Sequence, residues 1–269
     1  MKLALAQLDQ EAGDVQGNVD RAAAAVADAA SRGADLVALP ELFTVGYFAF
    51  ESYARDAEGL DGPTFSRLAD LAADHGVGLL AGSHVEDLAE SAEAGVDVPA
   101  AEGLANTAVF YDRDGKRRAV YRKHHLFGYE SAESRLLTPG DAVETTRFEG
   151  FEVGVTTCYD LRFPELYREL ADAGATLVLV PSAWPYPRVE HWTTLPRARA
   201  IENLCYVATV NGATEFESAT LLGRSTVYDP WGTTLASAGD DPALVTAEVD
   251  PERVDAVREE FPALGDRRE

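Results

Sequence analysis

Short apolar runs alternate with helix-patterned stretches along the whole sequence, and that alternation limits the chain to sheets layered with helices. Strands are expected at Leu3–Leu8, Leu36–Leu39, Val77–Ala81, Thr107–Tyr111, Val153–Thr157, Leu177–Val180, Tyr206–Val210, Ser225–Tyr228 and Leu244–Val249. Helices are expected at Asn18–Ser31, Pro63–His75, Pro164–Asp172 and Trp192–Asn203. The first helical stretch is alanine-rich and stops before Gly33, a favoured helix end. More strands than helices imply an α/β architecture of stacked sheets flanked by helices. No internal repeat and no proline- or glycine-rich linker divides the 269 residues, so residues 1–269 read as a single domain. The acidic stretch Glu86–Gly103 reads as a solvated loop inserted between two strands.

Charge excludes several classes of partner. The formal net charge is −23, from 46 acidic and 23 basic residues spread along the chain. A field of that sign repels nucleic acid and anionic membrane. Only Lys2, Lys116 and Lys123 are lysines, against twenty arginines. An acidic, lysine-poor surface fits a salt-rich cytoplasm, where cations screen self-repulsion. The opening MKLALAQLDQ turns polar too early for a secretory signal, and no apolar run is long enough for a membrane span. Cys158 and Cys205 are the only cysteines, and a cytoplasmic setting keeps both as free thiols.

Three segments carry candidate chemistry. In DLVALPELF an apolar strand delivers Glu41 at its C-terminal edge, where α/β proteins place functional groups. Leu39, Leu42 and Phe43 around it would desolvate the carboxylate and raise its pKa, which suits a group that accepts and returns a proton; a helix-capping or surface glutamate is the plainer reading. In VYRKHHLFGYESAESRLLTPGD, Lys123 lies among His, Leu, Phe and Tyr, whereas Lys2 is terminal and Lys116 sits in a turn. A buried ammonium must be paired, and Glu41 and Glu133 are the candidate partners. His124 and His125 read as satisfied, partly buried histidines.

The third segment, FEVGVTTCYDLRFPELYREL, is the most specific. Cys158 directly follows a strand, and Pro164 with Glu165 opens a helix. That order has the form of a nucleophile elbow, a sharp strand-to-helix turn whose backbone N–H groups can hold an oxyanion. Cys205, within an expected core strand, is the inert contrast. No histidine is tied by spacing to Cys158, no Cys-x-x-Cys or His-x-x-x-His pair suggests a metal, and no glycine-rich phosphate loop suggests a nucleotide. No cofactor is expected.

Taken in order, LPELF, YRKHHLF with a following Glu133 and PG, and CYDLRFPE resemble the three signature segments of the nitrilase superfamily of carbon–nitrogen hydrolases. The likeness continues through HWTTLPRARAIENLCYVATVNG, GRSTVYDPWG and EVDPERVDAVREEFPA, with the Nit-type ω-amidases as the most similar branch. The resemblance implies a four-layer α-β-β-α sandwich, two stacked mixed sheets flanked by helices, that pairs as a homodimer or assembles further. It also implies a triad of Glu41, Lys123 and Cys158 with Glu133 as accessory glutamate, Glu130 being the rival for that last role. On that reading Cys158 attacks a small amide, Lys123 and the Tyr159 N–H stabilise the oxyanion, ammonia leaves, and water hydrolyses the thioester. ω-Amidase likeness implies a monoamide of a short dicarboxylate as substrate. Arg162 is then a carboxylate contact or else a structural ion pair, and Trp184 and Tyr186 line the pocket or pack. PYPR after Trp184 departs from the NLTTG-like segment of the eukaryotic branch. N-carbamoyl amidohydrolases and aliphatic amidases are the alternative activities, and an idle binding protein on this fold is the alternative class.

Overall fold

The structure, a computed structural model, describes residues 1–129 and 131–268. Among them are twelve strands: β1 Lys2–Gln7, β2 Leu36–Ala38, β3 Gly78–Asp87, β4 Leu104–Tyr111, β5 Arg117–Arg122, β6 Thr145–Phe148, β7 Phe151–Val155, β8 Leu177–Ser182, β9 Tyr206–Asn211, β10 Thr226–Tyr228, β11 Thr234–Ser237 and β12 Ala243–Glu248. They form two six-stranded sheets, ordered β12-β1-β2-β3-β4-β5 and β11-β10-β9-β8-β7-β6. Both sheets are mixed in the same way. β1, β2 and β3 run parallel, as do β7, β8 and β9, while the outer strands pair antiparallel.

Side-chain alternation explains why the sheets stack. Leu3, Leu5, Leu36, Ala38 and Leu80 of the first sheet share one buried cluster with Val153, Val155, Leu177 and Leu179 of the second. Their neighbours Ala4, Ala6, Val37, Leu39 and Leu79 point the other way, into a second cluster with Ala22, Val26 and Ala29 of helix Val15–Ser31 and Phe65, Leu68 and Leu71 of helix Pro63–His75. A strand buried on both faces reads as a continuous apolar run, which is why these strands stand out in the sequence. Helices Pro164–Asp172 and Val189–Asn203 pack on each other, the latter also against β9, completing the α-β-β-α order.

Several local expectations need correction. β5, β6 and β11 are absent from the sequence-based assignment, as is helix Pro251–Glu260. All three strands are sheet edges with few buried side chains, so their sequences carry polar residues where an interior strand carries apolar ones. Glu86–Gly103 is not wholly a solvated loop, since β3 extends through Asp87 and Leu88–Glu93 is helical. Glu86 is fully buried, paired with Arg122 at 2.7 Å and bonded by Thr107 at 2.6 Å. Cys205 precedes β9 rather than lying inside it, though it is buried. No helix among the described residues is long and apolar enough to cross a membrane.

Candidate active site

Strands that end on the same side bring the candidate groups together. Glu41 lies three residues beyond β2, Cys158 three beyond β7, Ala183 directly after β8 and Lys123 directly after β5. Glycine permits two of the close approaches: a Cβ on Gly82 would lie 2.0 Å from the carbonyl oxygen of Pro40, next to Glu41, and one on Gly140 would lie 2.2 Å from that of Arg122, next to Lys123. Any larger residue would push these segments apart.

Lys123 is 1% exposed and lies between two fully buried carboxylates. Its Nζ donates to Glu41 Oε1 at 2.8 Å and to Glu133 Oε1 and Oε2 at 2.8 and 3.0 Å. Glu41 also accepts from Asn106 Nδ2 and, on its other oxygen, from the Ala183 N–H, both at 2.8 Å. Glu133 accepts from Tyr47 Oη at 2.9 Å and the Phe127 N–H at 2.7 Å. Two carboxylates satisfied by five different groups can share one ammonium without leaving a buried charge alone.

This arrangement sets the proton affinities. Burial raises the Glu41 carboxyl above its ordinary value; Lys123 opposes that, and Glu133 adds to it. Burial works against the Lys123 ammonium, but Glu133 and Glu41 outweigh it and hold its pKa well above the usual lysine value. The Cys158 thiol is pushed up by burial and by the negative charge of Glu41. A thiol so placed stays protonated unless a base takes its proton, and Glu41 is the carboxylate whose charge acts on it.

Cys158 has φ +48°, a left-handed backbone that a β-carbon disfavours. It opens the 3₁₀ turn Cys158–Arg162, ahead of helix Pro164–Asp172. The first N–H groups of such a turn have no partner within it, so the Tyr159 N–H lies beside the thiol as a donor for a ligand oxygen. Cys158, Lys123, Tyr159, Arg162 and Trp184 all line one cavity of about 340 Å³, the size of a small-molecule site.

The structure thus brings Lys123 and Cys158 to a cavity that Tyr159, Arg162 and Trp184 also line, with Glu41 and Glu133 buried on Lys123 outside its lining. Glu130 lies outside the described residues. Arg162 makes no ion pair among the described residues; its guanidinium sits 5.0 Å from the Trp184 ring centre and 5.6 Å from that of Tyr159, and one nitrogen is 3.2 Å from His191 Nδ1. Trp184 is nearly buried, its Nε1 donating to the Arg188 carbonyl at 3.1 Å, so it packs as well as lines. Tyr186 is 38% exposed at the cavity edge. His125 is satisfied, bonded to Asp160 and stacked on Phe163 at 3.7 Å, whereas the buried Nδ1 of His124 has no partner among the described residues, against the expectation for that residue. Sequence reasoning passed over Tyr47, Asn106, the Ala183 N–H and Asp160. Asn106, a polar residue inside the apolar run LANTAVFY, was the one with a visible signal. Among the described residues no group of three His, Cys, Asp or Glu could hold a metal ion.

Comparison with known proteins places this geometry in a family. The family model described as "Carbon-nitrogen hydrolase" matches residues 2–259. The 2-oxoglutaramate amidase of Paenarthrobacter nicotinovorans is 37% identical over 240 residues, covering 87% of this chain and 79% of the relative. Omega-amidase NIT2 of Homo sapiens is 34% identical over 275 residues, 99% of this chain and 95% of the relative. Among solved structures, Saccharomyces cerevisiae Nit3, a member of branch 10 of the nitrilase superfamily, superposes with a TM-score of 0.86 at 32% identity, covering 97% of this chain and 94% of its own. Matched along nearly its whole length, and carrying a cysteine and a glutamate-bonded lysine at one cavity, the chain belongs to the carbon–nitrogen hydrolase family.

Proposed function

We propose that the chain is an ω-amidase that hydrolyses the monoamide of a short dicarboxylate to the diacid and ammonia, with Cys158 as nucleophile, Glu41 as general base and acid, Lys123 as oxyanion donor and Glu133 as the carboxylate that holds Lys123. The observation that carries the reading is a thiol in left-handed backbone at a cavity that also presents the Lys123 ammonium, itself bonded to the buried Glu41, and an Arg162 with no acidic partner among the described residues. As Cys158 Sγ bonds to the amide carbon, Glu41 takes the thiol proton and the carbonyl electrons move to oxygen, held by the Lys123 ammonium and the Tyr159 N–H. Glu41 passes the proton to the amide nitrogen, the C–N bond breaks and ammonia leaves a thioester. Glu41 then takes a proton from water, hydroxide adds to the thioester carbon, and the C–S bond breaks with return of the proton to sulfur. Arg162, with five donors in a fixed fork, binds the far carboxylate. The names of the relatives, 2-oxoglutaramate amidase and omega-amidase, support that choice of substrate class.

The same proposal takes residues 1–269 as one domain working as a homodimer in a salt-rich cytoplasm. Ile201, Trp231 and Phe261 are 47%, 36% and 51% exposed, with the Trp231 and Phe261 rings 5.9 Å apart, an apolar surface that a second copy would cover. The deciding experiment is ammonia release at high salt from ω-amides, neutral aliphatic amides, carbamoyl compounds and nitriles. Turnover of ω-amides at least tenfold above the rest is the expected result. A preference for neutral amides or carbamoyl compounds would overturn the substrate class, and no ammonia from any of them would overturn the amidase reading.

A further inference from the structure

Cys158 and Lys123 come from different sheets, and both must meet one carbonyl. One buried carboxylate joins their two segments by hydrogen bonds. Asp160, two residues after Cys158, is fully buried and accepts from four groups. On Oδ2 it takes the Thr157 N–H at 2.9 Å and Tyr121 Oη at 2.6 Å. On Oδ1 it takes the His125 N–H at 2.9 Å and His125 Nδ1 at 2.8 Å. Thr157 immediately precedes the nucleophile, while Tyr121 and His125 stand two residues either side of Lys123. His125 is further stacked on Phe163, at the far end of the cysteine's own turn, with rings 3.7 Å apart and within 8° of parallel.

We propose that Asp160 is a positioning residue: it fixes the turn that presents Cys158 against the segment that presents Lys123, so that thiol and ammonium reach the same carbonyl. It touches neither substrate nor reacting atoms and acts only through those two segments. An ionised carboxylate accepts at both oxygens and donates at neither, so it matches four donors, and His125 must carry its proton on Nδ1. Asparagine has nearly the same shape but one donor face. Turned one way its NH₂ meets the Thr157 N–H, and turned the other way it meets the His125 N–H; backbone donors cannot reverse. D160N therefore frees either the cysteine side or the lysine side. Misplacement of a reacting group by about an ångström costs on the order of 100-fold in rate.

The inference rests on the amidase reading for its turnover assay, so the test has a second readout that needs no amide. D160N is expected to lose about 100-fold in kcat on the amide that wild type cleaves, with KM within about threefold. Alkylation of Cys158 by iodoacetamide, which depends on Glu41 meeting the thiol, should slow by about tenfold. Val254→Ala, a core truncation in helix Pro251–Glu260, supplies a control of lowered stability and should keep kcat. If D160N does not fold, Tyr121→Phe and His125→Phe each remove one donor and keep the ring; each should cost about three- to tenfold in kcat at unchanged KM. The proposal is overturned if folded D160N keeps kcat within threefold, if its loss is matched by Val254→Ala at equal melting temperature, or if both ring variants are indistinguishable from wild type. A wild type that alkylates at Cys158 but hydrolyses no amide sinks the function proposal alone, since the alkylation rates still decide this one.

Discussion

Replacing Glu133 by glutamine separates what that residue does for stability from what it does for Glu41. Its two oxygens receive Lys123 Nζ at 2.8 and 3.0 Å, Tyr47 Oη at 2.9 Å and the Phe127 N–H at 2.7 Å. Whichever way the new amide turns, its NH₂ faces a donor and Lys123 loses half of its ionic pairing. Removing one partner of a buried pair costs about 3–5 kcal/mol, to be read as a lowered urea midpoint. The pH dependence moves independently of that loss. Burial raises the Glu41 pKa, Lys123 lowers it, and Glu133 raises it through like charge. With that charge gone Lys123 pairs with Glu41 alone, so both changes lower the Glu41 pKa. Glu41 acts as base only when deprotonated, so the acid limb of kcat/KM, which reports the free enzyme, should shift to lower pH. An acid limb that stays in place or moves to higher pH would refute the assignment of Glu41 as base beside Glu133.

Three other predictions complete the set. Cys158→Ala should abolish ammonia release with the fold intact by circular dichroism, while Cys205→Ala, whose thiol burial pushes up to about 12, should stay active; the reverse pattern would remove Cys158 as nucleophile. Arg162→Met should lose roughly 1.5–3 kcal/mol in kcat/KM on a dicarboxylate monoamide, about 10- to 150-fold, and little on a neutral amide; equal losses would make Arg162 structural. With a net charge of −23, dilution of salt should lower the melting temperature through unscreened repulsion, and a melting temperature indifferent to salt from dilute buffer to molar concentration would count against salt adaptation.

What the sequence disclosed about the fold follows burial. Interior strands such as β2, β8 and β9, covered on both faces, are unbroken apolar runs and were readable to within a residue or two. The edges β5, β6 and β11 keep solvent on one side, so RRAVYR, TTRF and TLAS look like the polar segments around them. Helix Pro251–Glu260 was hidden for a similar reason: it buries only Val254 and Val257, and charged residues dominate the rest. Glu86 deceived in the other direction. It opens an acidic, loop-like stretch, yet Arg122 from a strand 36 residues away neutralises it inside the protein, a pairing that no local pattern announces.

The site was legible where chemistry is carried by a rare residue and obscure where it is carried by position. Lys123 stands out because only two other lysines survive, and Cys158 because it follows a strand and precedes a helix-opening proline. Asn106, Tyr47 and Asp160 are ordinary residue types whose importance lies in what they meet across the fold. That division has a physical root. The Cys158 thiol sits in a buried setting that raises its pKa, so it is not a standing thiolate, and on the proposed mechanism it reacts where Glu41 can take its proton as the new bond forms. Such coupling tolerates little error in three positions at once. A protein that depends on it must spend buried hydrogen bonds on holding Glu41, Lys123 and the cysteine turn in place, which is where Asn106, the Ala183 N–H, Glu133 and Asp160 are found. On the proposed mechanism, amide cleavage then requires a carbonyl in reach of both Lys123 and the Tyr159 N–H.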